Sequence, residues 1–308
     1  VVIISMIKRV YMPGDEWLYY KIYCGTKTAD EILVRVIQPL TIALLDAKVI
    51  DKWFFIRYHD SDPHLRVRFH FIDPKSILCI LDSVNDGLAY YVDSDLVWKV
   101  MLDTYSRELE RYFGNNIEDS EMLFFSDSVC CVSLLKSIGG IDAEKNRWML
   151  AFRSIDYMLS DFGFSSLQQR VDLLLKLKSS YYQEFNIGKY SKSQLDKRYR
   201  SVFHQIVDIM NAGTDSSSFG HLIHILEERS AKNRIIAKKV LQVFGQDNNS
   251  LENLIFSYIH MSMNRLFRSK QRMHELLVYD FLHRYYVSEL ARIKNLSLIH
   301  ISEPTRPY

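Results

Sequence analysis

The sequence predicts an α+β fold, with a small mixed β-sheet and its helices in the N-terminal third and a helical bundle in the remainder. Three observations lead there. Aromatic and β-branched residues gather in short runs over roughly the first hundred residues. From about Tyr105 onward leucine, isoleucine and methionine recur at 3.6-residue spacing. Glycine and proline number only 11 and 6 in 308 residues, too few for the many turns of an all-β sandwich.

Each element follows in order. Trp17-Leu18-Tyr19-Tyr20-Lys21-Ile22-Tyr23 opens after the turn signal Pro13-Gly14-Asp15 and reads as a strand. Thr28 caps a helix whose apolar residues fall at 32, 33, 36, 37, 40 and 44. Trp53–Tyr58 and Leu65–Phe71 read as strands joined by the turn-like His59-Asp60-Ser61-Asp62-Pro63. Pro74 opens a second helix through Ile77, Leu78, Ile80 and Leu81, and Ser94–Leu102 reads as a last strand. Beyond Tyr105, loops are expected at Asp161-Phe162-Gly163, Asn186-Ile187-Gly188, Asn211-Ala212-Gly213 and Gly245–Asn249. No internal repeat or long linker interrupts the chain, so one domain is expected over residues 8–295.

Composition narrows the function classes. Hydrophobic residues make up 48% and aromatics 13%, which excludes a disordered chain. Lys+Arg at 39 against Asp+Glu at 37 gives a net charge of +2, so no bulk field recruits nucleic acid or membrane. No apolar run reaches the length of a membrane span. Cys24, Cys79, Cys130 and Cys131 form no CxxC pair and are expected to be reduced thiols of a cytoplasmic protein. The chain starts at Val1, with Met6 the first plausible initiator. At the other end, residues 296–308 (LSLIHISEPTRPY) resemble a translated sequencing adapter, so a non-native tail is expected beyond Asn295.

The richest chemistry lies in His64-Leu65-Arg66-Val67-Arg68-Phe69-His70-Phe71. Alternation sends Leu65, Val67, Phe69 and Phe71 into a core and places His64, Arg66, Arg68 and His70 on the other face. Two arginines in one row repel unless something anionic faces them. Carboxylates on a solvated sheet face would suffice, and so would a bound carboxylate or phosphate, which guanidinium forks hold in two bonds. Spacing alone leaves both open. Other patterns read as ordinary surface: the His221/His224 pair lacks further ligands, and Lys232, Arg234, Lys238 and Lys239 form a solvated helix face.

Five ordered motifs carry a family resemblance. They are Pro13–Tyr23 with Trp53-Phe54-Phe55-Ile56-Arg57-Tyr58, His64-Leu65-Arg66-Val67-Arg68-Phe69, the expected helix Tyr105-Ser106-Arg107-Glu108-Leu109-Glu110-Arg111-Tyr112, Phe124-Phe125-Ser126-Asp127-Ser128, and His260-Met261-Ser262-Met263-Asn264-Arg265-Leu266. Over roughly Lys8 to Asn295 the chain resembles the C-terminal glutamate-elimination domain of class I lantibiotic dehydratases, also found as stand-alone thiopeptide-type bacteriocin biosynthesis proteins. It departs at Phe113, where the family usually carries glycine, and in lacking the large N-terminal glutamylation domain.

The resemblance implies a lyase. A glutamyl-tRNA-dependent glutamylation domain, separate or fused, esterifies Ser or Thr of a precursor peptide with glutamate. The elimination domain then removes the α-proton and expels glutamate, leaving dehydroalanine or dehydrobutyrine. Residue by residue, the implied catalytic positions are Arg68, Arg111 and His260, with Arg66, Arg57, His64 and Asn264 as substrate-binding residues. Arg107 is expected at the surface, and Asn264 shares a helix face with His260. No metal or cofactor and no direct nucleic-acid contact are implied. A thiopeptide pyridine synthase joining two dehydroalanines, and a non-catalytic peptide-binding subunit, stand as alternatives. Deleting Leu296–Tyr308 is expected to leave the melting temperature within the range of surface changes; a large drop in thermal unfolding would assign the tail to the fold.

Overall fold

A computed structural model of the chain describes residues 7–138, 143–216, 218–244 and 247–302, with side chains through Asn295. Within these the chain divides into two compact units, one of residues up to Arg147 with His224–Gln271, the other of Trp148–Ile223 with residues from Arg272 onward. The tail expected to be non-native falls outside the described side chains.

The first unit begins with β1 (Val10–Tyr11) and β2 (Trp17–Cys24), then α1 (Thr26–Ile32), a π-helical turn (Leu33–Ile37) and α2 (Gln38–Asp46). β3 (Lys52–His59), β4 (Pro63–His70), α3 (Ser76–Asp93), β5 (Val97–Asp103) and β6 (Tyr105–Ser106) follow. The α+β class holds, and every pairing in the four-stranded sheet, in the order β3-β4-β2-β5, is antiparallel. This is the split β-α-β arrangement, in which β4 inserts between β2 and β3.

One face of the sheet is the core. Leu18, Ile22, Leu65, Val67 and Phe69 are fully buried there beneath α1, the π turn and α3. Each contributes about 1.5–3 kcal/mol of burial. Close approach of α3 needs Gly87, since a Cβ there would lie 2.5 Å from Val36 Cγ1. The opposite face carries Trp17, Tyr19, Lys21, Phe54, Arg66 and Arg68.

The strand β3 lies at a sheet edge, and that edge is closed by side chains. Downstream lie α4 (Ile117–Ser137), α5 (Ala143–Asp161), α6 (Leu167–Glu184), α7 (Lys189–Asn211), α8 (Gly220–Phe244), α9 (Asn248–Leu266) and α10 (Gln271–Ser302). Ser128 of α4 accepts from the Phe55 N–H at 3.2 Å, while Arg265 of α9 donates to the Phe55 carbonyl at 2.9 Å. Asn264 accepts from the Arg57 N–H and donates to its carbonyl, both at 2.8 Å. Asp127 of α4 ties the helices together by accepting from Arg229 at 2.8 Å, Ser262 at 3.0 Å and Arg265 at 3.1 Å.

The segment expected as a helix, Tyr105–Tyr112, is a strand and turn instead. Tyr105 and Ser106 pair with β1, and the Arg107 N–H donates to the Arg9 carbonyl. Phe113 then takes a left-handed conformation with φ of 52°, which a continuous helix excludes, and α4 begins only at Ile117. Phe113 is the position where the resembled family favours glycine, the residue that adopts this geometry without steric cost.

Arg107 is likewise corrected from surface to core. It is 4% exposed and donates two 2.7 Å bonds to the fully buried Glu121, which also accepts from the Tyr105 hydroxyl at 3.0 Å. Burying this cation is tolerable because its carboxylate is buried with it.

The second unit is helical. A capping box of Ser166 and Gln169 starts α6. Its fully buried carboxylates are matched by donors: Glu275 by the hydroxyls of Tyr181 and Tyr279, Asp280 by Lys178, Tyr182 and Arg284.

Replacing Asp127→Ala is expected to destabilise the fold by about 3–5 kcal/mol, because two buried guanidiniums lose their carboxylate. Urea unfolding measures this, and an unchanged midpoint would remove Asp127 from that role.

Candidate active site

Strand alternation places Arg68 at the centre of the polar sheet face, opposite Tyr19 of β2 and Phe54 of β3. Its guanidinium is 7% exposed and stands over three rings: Tyr19 at 4.3 Å, Tyr105 at 4.8 Å and Phe54 at 5.1 Å. Among the described residues no carboxylate pairs with it, and its buried Nε has no hydrogen-bond partner. Burial pulls its pKa below the ordinary arginine value. Aromatic faces offset part of the desolvation but accept no hydrogen bonds, so the donors stay available to a ligand.

Arg68 lines a cavity of about 50 Å³, walled by Phe54, Tyr105, Tyr112, Phe124 and Met261. That volume admits a few water-sized groups, enough for a carboxylate and its neighbouring carbon. A second guanidinium, Arg265, reaches the same cavity. It is 1% exposed, and its Nη2 has no partner while Nε and Nη1 are engaged by Phe55 and Asp127. Sequence reading passed over Arg265, though it follows Asn264 in a motif already singled out. Only the edge bond to Phe55 shows which way it turns.

The other predicted residues fall into three groups. Arg111 lies in the turn after β6, where it donates to Ser257 of α9 at 3.2 Å and pairs with Glu108 at 3.3 Å. Glu108 and Tyr112 line the cavity, whereas Arg111, which pairs with Glu108, does not itself line it. His260 sits on α9 between Ser257 and Met261 without itself lining the cavity. Gln271 bonds its Nδ1 at 3.2 Å and also bonds Asn264 at 2.7 Å, so Asn264 reaches the imidazole through an intermediary.

Arg66 and His64 share the face of Arg68 but lie farther along it. Arg66 stacks 3.3 Å from the Tyr58 ring centre and donates from Nε to His64 Nε2 at 3.1 Å. Because that nitrogen accepts, His64 carries its proton on Nδ1, bonded to the Asp62 carbonyl at 3.0 Å. Arg57 does not join this face. Register places it opposite Leu65, on the core side, where it binds Asp30 together with Arg147 and Arg268. Burial pushes the Asp30 carboxyl up, but these three guanidiniums outweigh it and hold the pKa below the usual value.

Residues 17–286 match the family of lantibiotic biosynthesis dehydratases, C-terminal. The chain belongs to that family. It is 26% identical over 292 residues to the nisin biosynthesis protein NisB of Lactococcus lactis subsp. lactis, covering 93% of this chain and 27% of NisB. In fold it is similar to the tRNA-dependent lantibiotic dehydratase MibB of Microbispora sp. 107891, with a TM-score of 0.69, 21% identity and coverage of 92% and 29% of the two chains. The pyridine synthase TbtD from thiomuracin biosynthesis shares the fold at a TM-score of 0.66 and 11% identity, over 89% of this chain and 98% of its own. The chain thus spans under a third of the dehydratases it matches. Among the described residues no group of three metal-ligating side chains occurs, and no helix is long and apolar enough to cross a membrane.

Burial lowers the pKa of His64 below its ordinary value, despite the Asp62 bond. The unfolded chain therefore binds its proton first, and His64 contributes stability that is lost as pH falls through the unfolded and then the folded pKa. His64→Gln is expected to flatten part of the stability loss between about pH 7.5 and about pH 5. His283, also lowered by burial, contributes equally to both proteins and drops out of the difference. Urea midpoints across this range check it; parallel curves would contradict it.

Proposed function

We propose that this chain performs the elimination half of a Ser/Thr dehydration in lanthipeptide or thiopeptide-type bacteriocin biosynthesis. Its substrate is a precursor peptide bearing a glutamyl ester on Ser or Thr. The α-proton passes to a base and on to solvent, the C–H electron pair forms the Cα=Cβ bond, and the Cβ–O bond breaks to release glutamate as a carboxylate. Dehydroalanine or dehydrobutyrine remains.

The observation that carries this reading is Arg68, a buried guanidinium without a carboxylate of its own beside the open arm of Arg265. Both offer donors only, which suits a carboxylate and no cationic or apolar group. Arg111, paired with the cavity-lining Glu108, and His260, on the helix that carries Met261, serve the reacting end of the substrate, where charge collects on oxygen. Arg66 and His64 extend the polar face toward the rest of the peptide. The enzyme is a lyase expected to act in the cytoplasm without a metal. Its partner is a glutamyl-tRNA-dependent glutamylation activity, separate or fused. A pyridine synthase, favoured only by the fold shared with TbtD, is separated by the same assay.

Incubated with a glutamylated precursor peptide, the protein is expected to release glutamate and leave a peptide one water lighter than the unmodified form. Arg68→Ala should accumulate the glutamyl ester, and His260→Ala should slow single-turnover elimination about a hundredfold. Mass spectrometry showing an untouched ester with folded wild-type protein sinks the proposal. Consumption of a peptide carrying two dehydroalanines would favour the synthase.

A further inference from the structure

We infer that Gln271 holds neutral His260 in the tautomer with its proton on Nε2, making the imidazole a hydrogen-bond donor to the substrate and not the base that takes the α-proton. The tautomer follows from geometry alone; the donor role rests on the elimination reading.

One group in the relay has a fixed polarity. The backbone N–H of Arg57 can only donate, and it meets Asn264 Oδ1 at 2.8 Å. The Asn264 amide nitrogen is thereby turned to the Arg57 carbonyl at 2.8 Å and to Gln271 Oε1 at 2.7 Å. Gln271 must accept there with its oxygen, so its Nε2 is the atom facing His260. That nitrogen carries two hydrogens and no lone pair for bonding. It meets the His260 carbonyl at 3.0 Å and the ring Nδ1 at 3.2 Å. Nδ1 therefore accepts, and the proton of the neutral ring is on Nε2. Every amide orientation in this relay is dictated by the sheet edge.

The consequence concerns charge. An imidazole whose Nδ1 lone pair is occupied has no basic nitrogen left for the substrate, since Nε2 already bears hydrogen. What remains is a neutral N–H, a donor to an oxygen that gains charge as the ester departs. A neutral histidine used as an electrophile is an established enzymatic strategy.

Two substitutions test the relay. Gln271→Glu replaces the donor with an acceptor and should move the proton to Nδ1. Asn264→Asp touches neither partner of the final bond. It still accepts from Arg57 but donates neither to the Arg57 carbonyl nor to Gln271, so the Gln271 amide is drawn to turn over toward the new carboxylate and present its oxygen to His260, against its bond to the His260 carbonyl. Long-range ¹H–¹⁵N spectra of histidine-labelled protein read the tautomer, with the His260 signal assigned by its loss in His260→Asn. The expected result is Nε2–H in wild type and Nδ1–H in both variants, with elimination reduced about a hundredfold in each. A wild-type ring protonated on Nδ1 overturns the inference, and so does an unchanged tautomer in folded Gln271→Glu. If circular dichroism shows either variant unfolded, the wild-type spectrum decides. Tautomers that shift as expected while elimination holds at the wild-type rate would support the relay and remove His260 from the reaction. Wild-type protein that never eliminates would sink the functional reading and leave the tautomer standing.

Discussion

An edge strand with buried backbone groups is the constraint on which the first unit depends. β3 has β4 on one side only, so the N–H and C=O groups of Phe55 and Arg57 that point outward must find partners elsewhere. Ser128, Asn264 and Arg265 supply all four. Leaving any one unmade would cost about 1–3 kcal/mol. That requirement holds α9 against the sheet at one register, and the register carries the site with it. It aims Arg265 at the cavity, sets Met261 in its wall and orients the amides that lead to His260.

The arginines divide by what neutralises them. Arg107 has Glu121, Arg229 and Arg265 share Asp127, and Arg57, Arg147 and Arg268 converge on Asp30. These pairs join elements distant in sequence, and the benefit is geometric, because desolvation cancels most of the Coulomb attraction. Arg68, on the polar face, differs from these buried arginines in having no carboxylate pair among the described residues. It is buried as deeply as several of these, yet three aromatic rings take the place of a carboxylate. Cation–π contacts contribute about 2 kcal/mol or more each when desolvated, set against the several kcal/mol that burying an ion costs, and they leave its N–H donors without acceptors. Such a group is stabilised further by an anionic ligand, which is why it anchors the functional reading.

Much of this was legible from residue order. The period of two in His64–Phe71 correctly separated a core face from a face bearing Arg66 and Arg68, because adjacent side chains on a strand must point oppositely. Strand and helix order in the first hundred residues also follows the sequence pattern, with helix starts displaced by two or three residues, as at the cap Gly25 where the sequence suggests Thr28. Tyr105–Tyr112 went astray because its charged and aromatic residues suit a helix locally, while pairing with β1 and the left-handed Phe113 are non-local and conformational facts. Arg57 went astray for a related reason: it stands in an aromatic strand beside the site, but one residue of register turns it to the other face.

Residue order alone specified the fold class, the apolar and polar faces of β4, and the motifs that mark the family, since each is written in periodicity or in local composition. Tertiary structure alone decided which buried arginines are spent on carboxylates and that Arg68, among the described residues, is not. It also decided that Arg265 belongs to the cavity and that His260 presents Nε2–H. Those outcomes depend on contacts between residues more than a hundred positions apart, such as Arg57 with Asn264 and Asp127 with Arg265. No local pattern encodes such a contact, because a side chain's charge state and hydrogen-bond polarity are set by whatever the fold brings against it.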